Sequence, residues 1–284
     1  MTDVPEIAYV NGEFLPLEQA MIHVEDRGFQ FADAVYEVVR TYRGQPFALN
    51  EHMARLFRSL DSIRLQHTFT ADHLKSLITE AVRRAGFVES VVYLQITRGR
   101  APRHRGIPSK SEPTLVITVR ELHSVAHLRE TGVSVITFPD NRWARCDIKT
   151  VALLANVLAY RDAREAGAYD AVFVEADGTV SESTAGNVFI VTGNKVSTPP
   201  KGPRILSGVT RDKILEAARA TGLEVREEPV AKETLLAANE AFLTSTTAEI
   251  IPVVAVDDRK IGSGKPGPVT ARVYDQFARM FTQK

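Results

Sequence analysis

Apolar and polar positions along the chain form patterns that predict both strands and helices. Over residues 8–15, Asn11-Gly12 lies between apolar residues and predicts a β-hairpin, because both residues tolerate the positive φ of a tight turn. Asp177-Gly178 predicts a second hairpin. Strands are expected where β-branched and aromatic residues concentrate. These ranges are 35–42, 91–97, 114–119, 133–138, 170–174, 180–183 and 188–191.

Apolar residues at helical spacing predict the helices. Asn50 is expected to cap a helix that ends near residue 65, and Thr70 to begin a second one that ends near Gly86. The core stripe of the first is predicted to be Met53, Leu56, Leu60 and Ile63. Further helices are expected over 151–166, 210–220, 232–238 and 269–281. The last is expected to bury Val273, Phe277 and Phe281.

The order of these elements predicts a fold of two domains. The segment 122–130 shows neither period strongly, so the joint is placed there. Strands and helices are mixed in both halves, which predicts the α/β (α+β) class. We expect a small N-terminal domain over residues 1–122 and a larger C-terminal domain over 128–284 that carries Lys149.

Composition excludes several classes of protein. The 284 residues include 35 Lys and Arg against 35 Asp and Glu, 44% hydrophobic residues and 25% charged ones, typical of a soluble globular protein. The longest uncharged stretch, the 12 residues 183–194, is too short to span a bilayer. The acidic segment 1–6 lacks the apolar core of a secretory signal. A cytoplasmic location is therefore expected, and neither a membrane nor a nucleic acid is expected as partner.

Lys149 is the first candidate for chemistry. It lies between Ile148 and an apolar run, and a desolvated amine has a lowered pKa and is nucleophilic. The alternative is a lysine whose stem packs while its head reaches water. Cys146, the one cysteine of the chain, excludes an internal disulfide and a multi-cysteine metal site, and no metal site is predicted.

Three other segments could bind charged ligands. Glu182, between a strand and a small polar loop, could hold a protonated ring nitrogen or belong to a surface turn. Residues 206–212 and 243–249 offer hydroxyls and helix-terminal N–H groups to an anion, although Ser and Thr caps are common. Residues 98–105 hold four arginines and His104, which suit a carboxylate but also a solvated loop or a nucleic acid. The neutral chain and the lack of interleaved aromatics argue against nucleic acid.

Five segments together resemble one family, the fold-type IV pyridoxal-phosphate (PLP) enzymes, and within it the D-amino-acid transaminases. The segments span nearly the whole chain and follow the family's order. They are residues 25–38, 50–56, 145–149, 206–212 and 244–250.

The resemblance implies a role for each matching position. Lys149 is similar to the lysine that forms the Schiff base and shuttles the proton, and Glu182 to the carboxylate that faces the pyridine nitrogen. Leu206 resembles the residue packed on the ring, and Tyr36 a tyrosine of the substrate pocket. The residues that resemble the phosphate cup are Arg55, Val209, Thr210, Ser245 and Thr246. Arg55 lies off the predicted apolar stripe and would otherwise pass for a surface charge. The family also implies a homodimer.

One departure concerns the substrate. The family carries an Arg-x-His pair that holds the substrate carboxylate. Arg103 matches the arginine of this pair, but Arg105 occupies the histidine position, with His104 between them. Two arginines could hold a carboxylate more strongly or favour a dicarboxylate, or Arg105 could face solvent.

We expect transamination between a D-amino acid and a 2-oxo acid such as 2-oxoglutarate or pyruvate. An (R)-amine or branched-chain transaminase of the same fold is the nearest alternative. An aminodeoxychorismate lyase and a non-enzymatic nucleic-acid binder are the remaining ones.

Overall fold

The computed structural model of the protein describes residues 6–282. The expectation that the N-terminus is not a secretory signal concerns residues 1–6, of which 1–5 lie outside the described residues. The chain divides into two compact units. One comprises the residues up to 123 together with 148–152, and the other comprises 124–147 and the chain from 153 onward. The domain bounds predicted from the sequence, 1–122 and 128–284, stay a prediction.

The first unit is an antiparallel sheet with two helices packed on one face. A 3-10 turn, Leu17–Gln19, and a short helix, α1 (Arg27–Phe31), precede the long strand β3. The strands, paired in the order β2-β1-β6-β5-β3-β4, are β1 (Ile7–Val10), β2 (Glu13–Pro16), β3 (Ala34–Tyr42), β4 (Gln45–Pro46), β5 (Ser90–Thr97) and β6 (Thr114–Glu121). The packed helices are α2 (Leu49–Ser62) and α3 (Ala71–Ala85).

Local sequence explains most of this unit. Asn11 (φ 46°) and Gly12 (φ 114°) form the turn of the predicted first hairpin. Thr70 caps α3 by accepting a hydrogen bond from the His73 N–H at 3.2 Å, and Gly86 ends the helix in the left-handed region, as predicted. The predicted cap at Asn50 is wrong, because α2 begins at Leu49 and Asn50 lies inside its first turn.

The second unit contains the remaining helices and strands of the described chain. Its helices are α4 (Ala126–Thr131), α5 (Leu154–Glu165), α6 (Val209–Ala220), α7 (Lys232–Leu236) and α8 (Pro268–Thr282). Its strands are β7 (Val133–Pro139), β8 (Asp170–Val174), β9 (Thr179–Ser183), β10 (Asn187–Thr192), β11 (Lys195–Thr198), β12 (Glu224–Glu227), β13 (Val230–Ala231), β14 (Glu240–Ser245), β15 (Glu249–Val256) and β16 (Arg259–Lys260).

The sheet of this unit closes into a ring of strands. Its strand path is β12-β11-β10-β14-β15-β7-β8-β9-β13, and the pairs β11–β12, β15–β7 and β7–β8 are parallel. Glu182 of β9 also pairs with Asn187 of β10, so that six strands of the path form a closed ring. The second predicted hairpin, β8 and β9, is therefore part of a closed structure with few free edges.

The sequence analysis missed several strands of this unit, including β14 and β15. β14 and β15 are buried on both faces along most of their length, so their apolar residues form runs rather than alternating. The run of hydroxyls at 244–247 lies at the turn that joins these two strands. The mixed α/β class of the chain agrees with the prediction.

Lys149 belongs to the first unit, which differs from its assignment to the C-terminal domain. Strand β4 pairs with β3 only at residues 41 and 42, so the edge of β3 near Val35 is available for another segment. The backbone of Thr150 forms an antiparallel bridge with Val35, and the Val151 N–H donates to the Ala34 carbonyl at 3.4 Å. Because these groups bond to β3, the following helix begins at Leu154 rather than at residue 151.

Among the helices described for residues 6–282, none has the length and apolar character needed to cross a membrane.

Candidate active site

Lys149 lies against strand β3 in the first unit, next to Tyr36. Its carbonyl oxygen accepts a hydrogen bond from the Tyr36 N–H at 2.9 Å, and its N–H donates to Ser59 Oγ at 3.3 Å. Lys149 Nζ lies 4.2 Å from the centre of the Tyr36 ring. The structure thus brings the predicted lysine and the predicted pocket tyrosine together on a half-buried surface.

Two residues that the sequence analysis missed extend this surface. Tyr36 stacks on Tyr93 with ring centres 5.4 Å apart, and the Tyr93 hydroxyl donates to Gln95 Oε1 at 2.6 Å. Burial and the neighbouring Tyr36 raise the pKa of Tyr93 to about 12, so its hydroxyl stays protonated at neutral pH. Alternate positions of β3 and β5 that face away from the core place these three side chains together.

Arg55 lies on the buried face of α2, not at the surface. Its exposed fraction is 4%, and its guanidinium holds the Glu37 carboxylate through Nε at 2.7 Å and Nη2 at 2.8 Å. His52 Nδ1 lies 2.8 Å from the same carboxylate. Burial alone raises the pKa of Glu37, but Arg55 and His52 lower it more, to about 2. Burial lowers the pKa of His52, and Glu37 only partly offsets this.

The basic loop contains arginines in two different environments. Arg98 is buried and serves the fold, because it pairs with Asp33 at 2.8 Å and donates to the carbonyl oxygens of residues 63 and 64. Arg103 is exposed, stacks 4.6 Å from the centre of the Phe31 ring and donates to the Gln30 carbonyl at 3.3 Å. Arg105 is exposed.

Buried Arg27 anchors this loop. It pairs with Asp33 through Nε at 2.9 Å and donates through Nη1 to the His104 carbonyl at 2.6 Å. Its guanidinium also lies 4.9 Å from the centre of the Phe31 ring. Phe31 therefore contacts both Arg27 and Arg103, and the backbone between Arg103 and Arg105 is tied to the fold.

Glu182 lies in the second unit, at the point where β9 meets β10. Its Oε2 accepts hydrogen bonds from the Leu206 N–H at 3.0 Å and from Asn187 Nδ2 at 3.4 Å. Asn187 Nδ2 also donates to the Leu206 carbonyl at 3.0 Å. The structure thus brings Glu182 and Leu206 together, and Glu182 is a buried carboxylate rather than part of a surface turn.

Arg142 and Asp140 complete the surroundings of Glu182, and the sequence analysis gave neither a role. Arg142 Nη1 donates to Glu182 Oε1, while its Nε and Nη2 hold the two oxygens of Asp140 at 2.9 and 2.7 Å. Ser181 Oγ lies 2.7 Å from Asp140 Oδ2. The proximity of Asp140 and Arg142 to β9 follows from the pairing of β8 with β7 and β9, which no local pattern reveals.

Val209 and Thr210 form the first turn of α6, which begins after Gly208. No side chain caps this turn, so its N–H groups are available to an anion. Gly208 approaches Asn187 so closely that a Cβ atom would lie 2.1 Å from Asn187 Oδ1. A larger residue at position 208 would therefore collide with Asn187, the side chain that hydrogen-bonds to the Leu206 carbonyl.

Ser245 and Thr246 lie at the turn between β14 and β15, both half-buried. Ser245 Oγ accepts a hydrogen bond from the Ala248 N–H at 3.2 Å. The neighbouring Thr244 hydroxyl is buried and has no hydrogen-bond partner among the described residues. A cavity of about 100 Å³ adjoins this turn and is lined by both Thr244 and Ser245. Hydroxyl-bearing residues of this turn thus line a space that can hold a polar group.

The residues present fit PLP. In the second unit, Glu182 is a buried, hydrogen-bonded carboxylate suited to a protonated ring nitrogen, and the uncapped start of α6 suits a phosphate. Buried hydroxyls are rarely left without a hydrogen-bond partner. The Thr244 hydroxyl, which has none among the described residues, therefore indicates that the second unit binds a polar group there. In the first unit, Lys149 provides the primary amine and Arg55 a guanidinium.

Comparisons with known proteins agree with this set. The amino-transferase class IV family matches residues 34–256. The chain is 41% identical to D-alanine aminotransferase of Bacillus licheniformis over 263 residues, 93% of each chain. It is 36% identical to D-alanine aminotransferase of Listeria monocytogenes serotype 1/2a over 277 residues, 96% of each chain.

Solved structures give the same family. The branched-chain amino acid aminotransferase of Escherichia coli superposes with a TM-score of 0.92 at 28% identity, covering 98% of this chain and 95% of that one. The branched-chain aminotransferase of the archaeon Thermoproteus uzoniensis, solved with norvaline, gives 0.89 at 26% identity, covering 99% of this chain and 96% of that one. The chain is therefore a member of the class IV aminotransferases, the PLP-dependent enzymes of fold type IV.

Proposed function

We propose that this enzyme transfers the amino group of a D-amino acid to a 2-oxo acid such as 2-oxoglutarate or pyruvate. The observation that carries the proposal is the 41% identity with D-alanine aminotransferase of B. licheniformis over 93% of both chains. The site chemistry supports it, because the first unit provides an amine beside a tyrosine and a loop that presents Arg103 and Arg105.

PLP, when bound, accepts the electrons of the substrate Cα–H bond into its ring. We propose that Lys149 holds the cofactor and, once the substrate has displaced it, moves a proton at the substrate Cα. Glu182 would keep the ring nitrogen protonated, which deepens the electron sink. Its hydrogen bonds to the Leu206 N–H and to Asn187 keep the carboxylate oriented.

Three kinds of group are proposed to hold the phosphate. Arg55 supplies the charge, and its bidentate contact with Glu37 fixes its guanidinium. The uncapped first turn of α6 supplies N–H groups, and the turn after β14 supplies hydroxyls. The residues proposed for these last two contacts are Val209, Thr210, Ser245 and Thr246. Leu206 would pack against the ring.

The substrate would meet Tyr36, Arg103 and Arg105. Arg103 is presented by its stacking on Phe31, and a guanidinium held in this way loses little entropy when it binds a carboxylate. Arg105 lies on the same anchored segment and is free of ion pairs in the described chain. A second arginine at this place would favour substrates or acceptors that carry two carboxylates.

We further propose a cytoplasmic homodimer. Helix α5 presents a row of exposed apolar side chains, including Leu154 (71% exposed), Val157 (58%) and Tyr160 (48%). A contiguous apolar face of this kind is typical of a protein–protein contact, and a second copy of the chain is the partner we propose.

The test is a half-reaction followed by absorbance. The purified holoenzyme is mixed with a D-amino acid, with the L-form and with a chiral primary amine in separate experiments. We expect the absorbance band of the lysine-bound cofactor to disappear, and the band of the aminated cofactor to grow, with the D-form. Reaction with the D-form of alanine or glutamate is the supporting outcome.

The branched-chain alternative has its own support in the structural similarity to branched-chain aminotransferases. Reaction with L-leucine, or with the amine, in preference to every D-amino acid would favour that alternative. It would also show that Arg103 and Arg105 do not select the substrate as proposed, while the family membership would stand.

A further inference from the structure

A buried chain of charges links Asp140 to Glu182 through Arg142. The side chains of Arg142 and Asp140 are 5% and 2% exposed, and that of Glu182 is 8% exposed. Asp140 accepts from Arg142 Nε and Nη2, which leaves Nη1 to donate to Glu182. Arg142 also stacks 4.3 Å from the centre of the Phe173 ring. The guanidinium therefore has one orientation, and Asp140 takes two of its three nitrogens.

We propose that Asp140 is a positioning residue that tunes the ring nitrogen of PLP through Arg142 and Glu182. This inference rests on the proposed contact between Glu182 and that nitrogen. The ionised cluster of two carboxylates and one guanidinium carries a net negative charge. That charge favours a protonated ring nitrogen in front of Glu182.

Without the Asp140 charge, Arg142 would act on Glu182 alone. The cluster would become neutral, Glu182 would be a weaker acceptor, and the ring nitrogen would lose its proton more readily. Little solvent is available to screen this effect, because all three side chains are buried. Asp140 therefore controls the reactivity of the cofactor without touching it.

Other titratable groups surround the cluster in the second unit. Cys146, Glu175 and Arg204 act on it electrostatically. Arg204 pairs with Glu175 at 3.3 Å, which offsets the charge of each. Burial raises the pKa of the Cys146 thiol to about 11, so this group stays neutral over the pH range of the test. The variants below leave these three groups unchanged.

The test compares Asp140→Asn with the wild-type protein, using two readouts besides activity. The first is the ¹⁵N chemical shift of the ring nitrogen in holoenzyme loaded with ¹⁵N-labelled PLP, followed against pH. The second is the dissociation constant of PLP and of its 1-deaza analogue, in which a C–H group replaces the ring nitrogen. We expect the midpoint of the ¹⁵N titration to fall by about one pKa unit, and PLP to bind about tenfold more weakly. The affinity for the deaza analogue should not change.

Two further variants make the result specific. Asp140→Asn/Arg142→Gln removes one negative and one positive charge, returns the cluster to a net negative charge, and should restore the midpoint. Asp257→Asn is the matched control, since Asp257 pairs with Lys232 at 2.8 Å in the same unit. It should leave both readouts unchanged.

Equal weakening of both ligands in Asp140→Asn would overturn the proposal, because it would indicate a general disturbance of the fold. An unchanged ¹⁵N midpoint would also overturn it. If Asp140→Asn does not fold, the double variant alone decides: a midpoint shifted from the wild-type value contradicts the charge argument, and the wild-type value supports it. Failure of the proposed function would appear separately, as a wild-type protein whose cofactor does not react with D-amino acids.

Discussion

Lys149 Nζ lies 4.2 Å from the centre of the Tyr36 ring, and the carbonyl of the same lysine accepts a hydrogen bond from the Tyr36 N–H. Two contacts therefore tie the proposed catalytic lysine to strand β3. The backbone contact fixes where the side chain begins, and the ring limits where the amine can go. An amine that must attack one carbon of a cofactor benefits from such restriction, because less orientational entropy is lost on reaction.

Lys149→Ala should abolish transamination and covalent capture of the cofactor. Treatment of the wild-type holoenzyme with borohydride should link the cofactor to the peptide that contains Lys149, as measured by mass spectrometry. The variant should show no such mass increase. Lys75→Ala, which removes a partly exposed lysine paired with Asp72 at 2.8 Å, is the control and should behave as the wild type. Capture on another lysine would rule out the assignment.

Glu37→Gln should destabilise the first unit and weaken PLP binding. The substitution removes the buried partner of Arg55, and breaking such a pair costs about 3 to 5 kcal/mol. Arg55 would then be free to leave the orientation proposed for the phosphate contact. Urea unfolding measures the first effect, and titration of apoenzyme with PLP, followed by the fluorescence of Trp143, measures the second.

The same ion pair predicts a pH dependence. Because the pKa of Glu37 is lowered to about 2, its stabilisation is fully present above its unfolded value, about 4.5, and is lost as the pH falls toward 2. The difference in unfolding free energy between wild type and Glu37→Gln should therefore shrink below about pH 4.5. Glu80→Gln, which removes a partly exposed carboxylate paired with two arginines, should show a much smaller difference at every pH. A constant difference for Glu37→Gln would contradict this reading.

Arg103→Ala should raise KM for D-amino acids by roughly 10- to 100-fold, the range for losing one charge-assisted hydrogen bond. KM for a primary amine without a carboxylate should change much less. Steady-state kinetics with both substrates measure the two changes in KM. Arg100→Ala, an exposed arginine of the same loop, is the control. Equal effects on acid and amine would show that Arg103 does not meet the carboxylate.

Phe31→Leu should produce a smaller change of the same kind. The substitution keeps an apolar side chain but removes the ring on which Arg103 and Arg27 stack. A cation–π contact at an exposed site contributes about 0.5 to 1 kcal/mol, so KM for D-amino acids should rise roughly two- to fivefold. An unchanged KM would mean that stacking on Phe31 does not present Arg103.

Gly208→Ala should weaken PLP binding although glycine and alanine differ by one methyl group. The new Cβ would lie 2.1 Å from Asn187 Oδ1 and displace the amide that holds Glu182 and Leu206. Overpacking of this kind costs about 1 to 3 kcal/mol. Gly202→Ala is the matched control, because nothing lies within 4 Å of its Cβ position. Similar PLP affinities for the two variants would contradict the role given to the Gly208 contact.

The sequence by itself determined most local elements. The Asn11-Gly12 turn, the Thr70 cap and the Gly86 end of α3 follow from the chemistry of neighbouring residues. The class of the fold follows from the mixture of strands and helices in both halves, and the family follows from motifs that lie along the chain in a set order. These features depend on neighbouring residues or on the order of motifs, so they can be predicted without knowing which segments pack together.

Only the tertiary structure decided which side chains meet. The apolar pattern alone would place Arg55 among surface charges, yet it is buried because Glu37 of β3 faces α2. Residues 148–152 bond to the free edge of β3. The helix α5 therefore begins at Leu154 rather than at residue 151, and Lys149 lies in the first unit. Arg142 hydrogen-bonds to both Asp140 and Glu182, and these three side chains come together because β7, β8 and β9 pair in the sheet. Such contacts join residues about 20 to 115 positions apart, so their energies depend on the assembled fold rather than on local pattern.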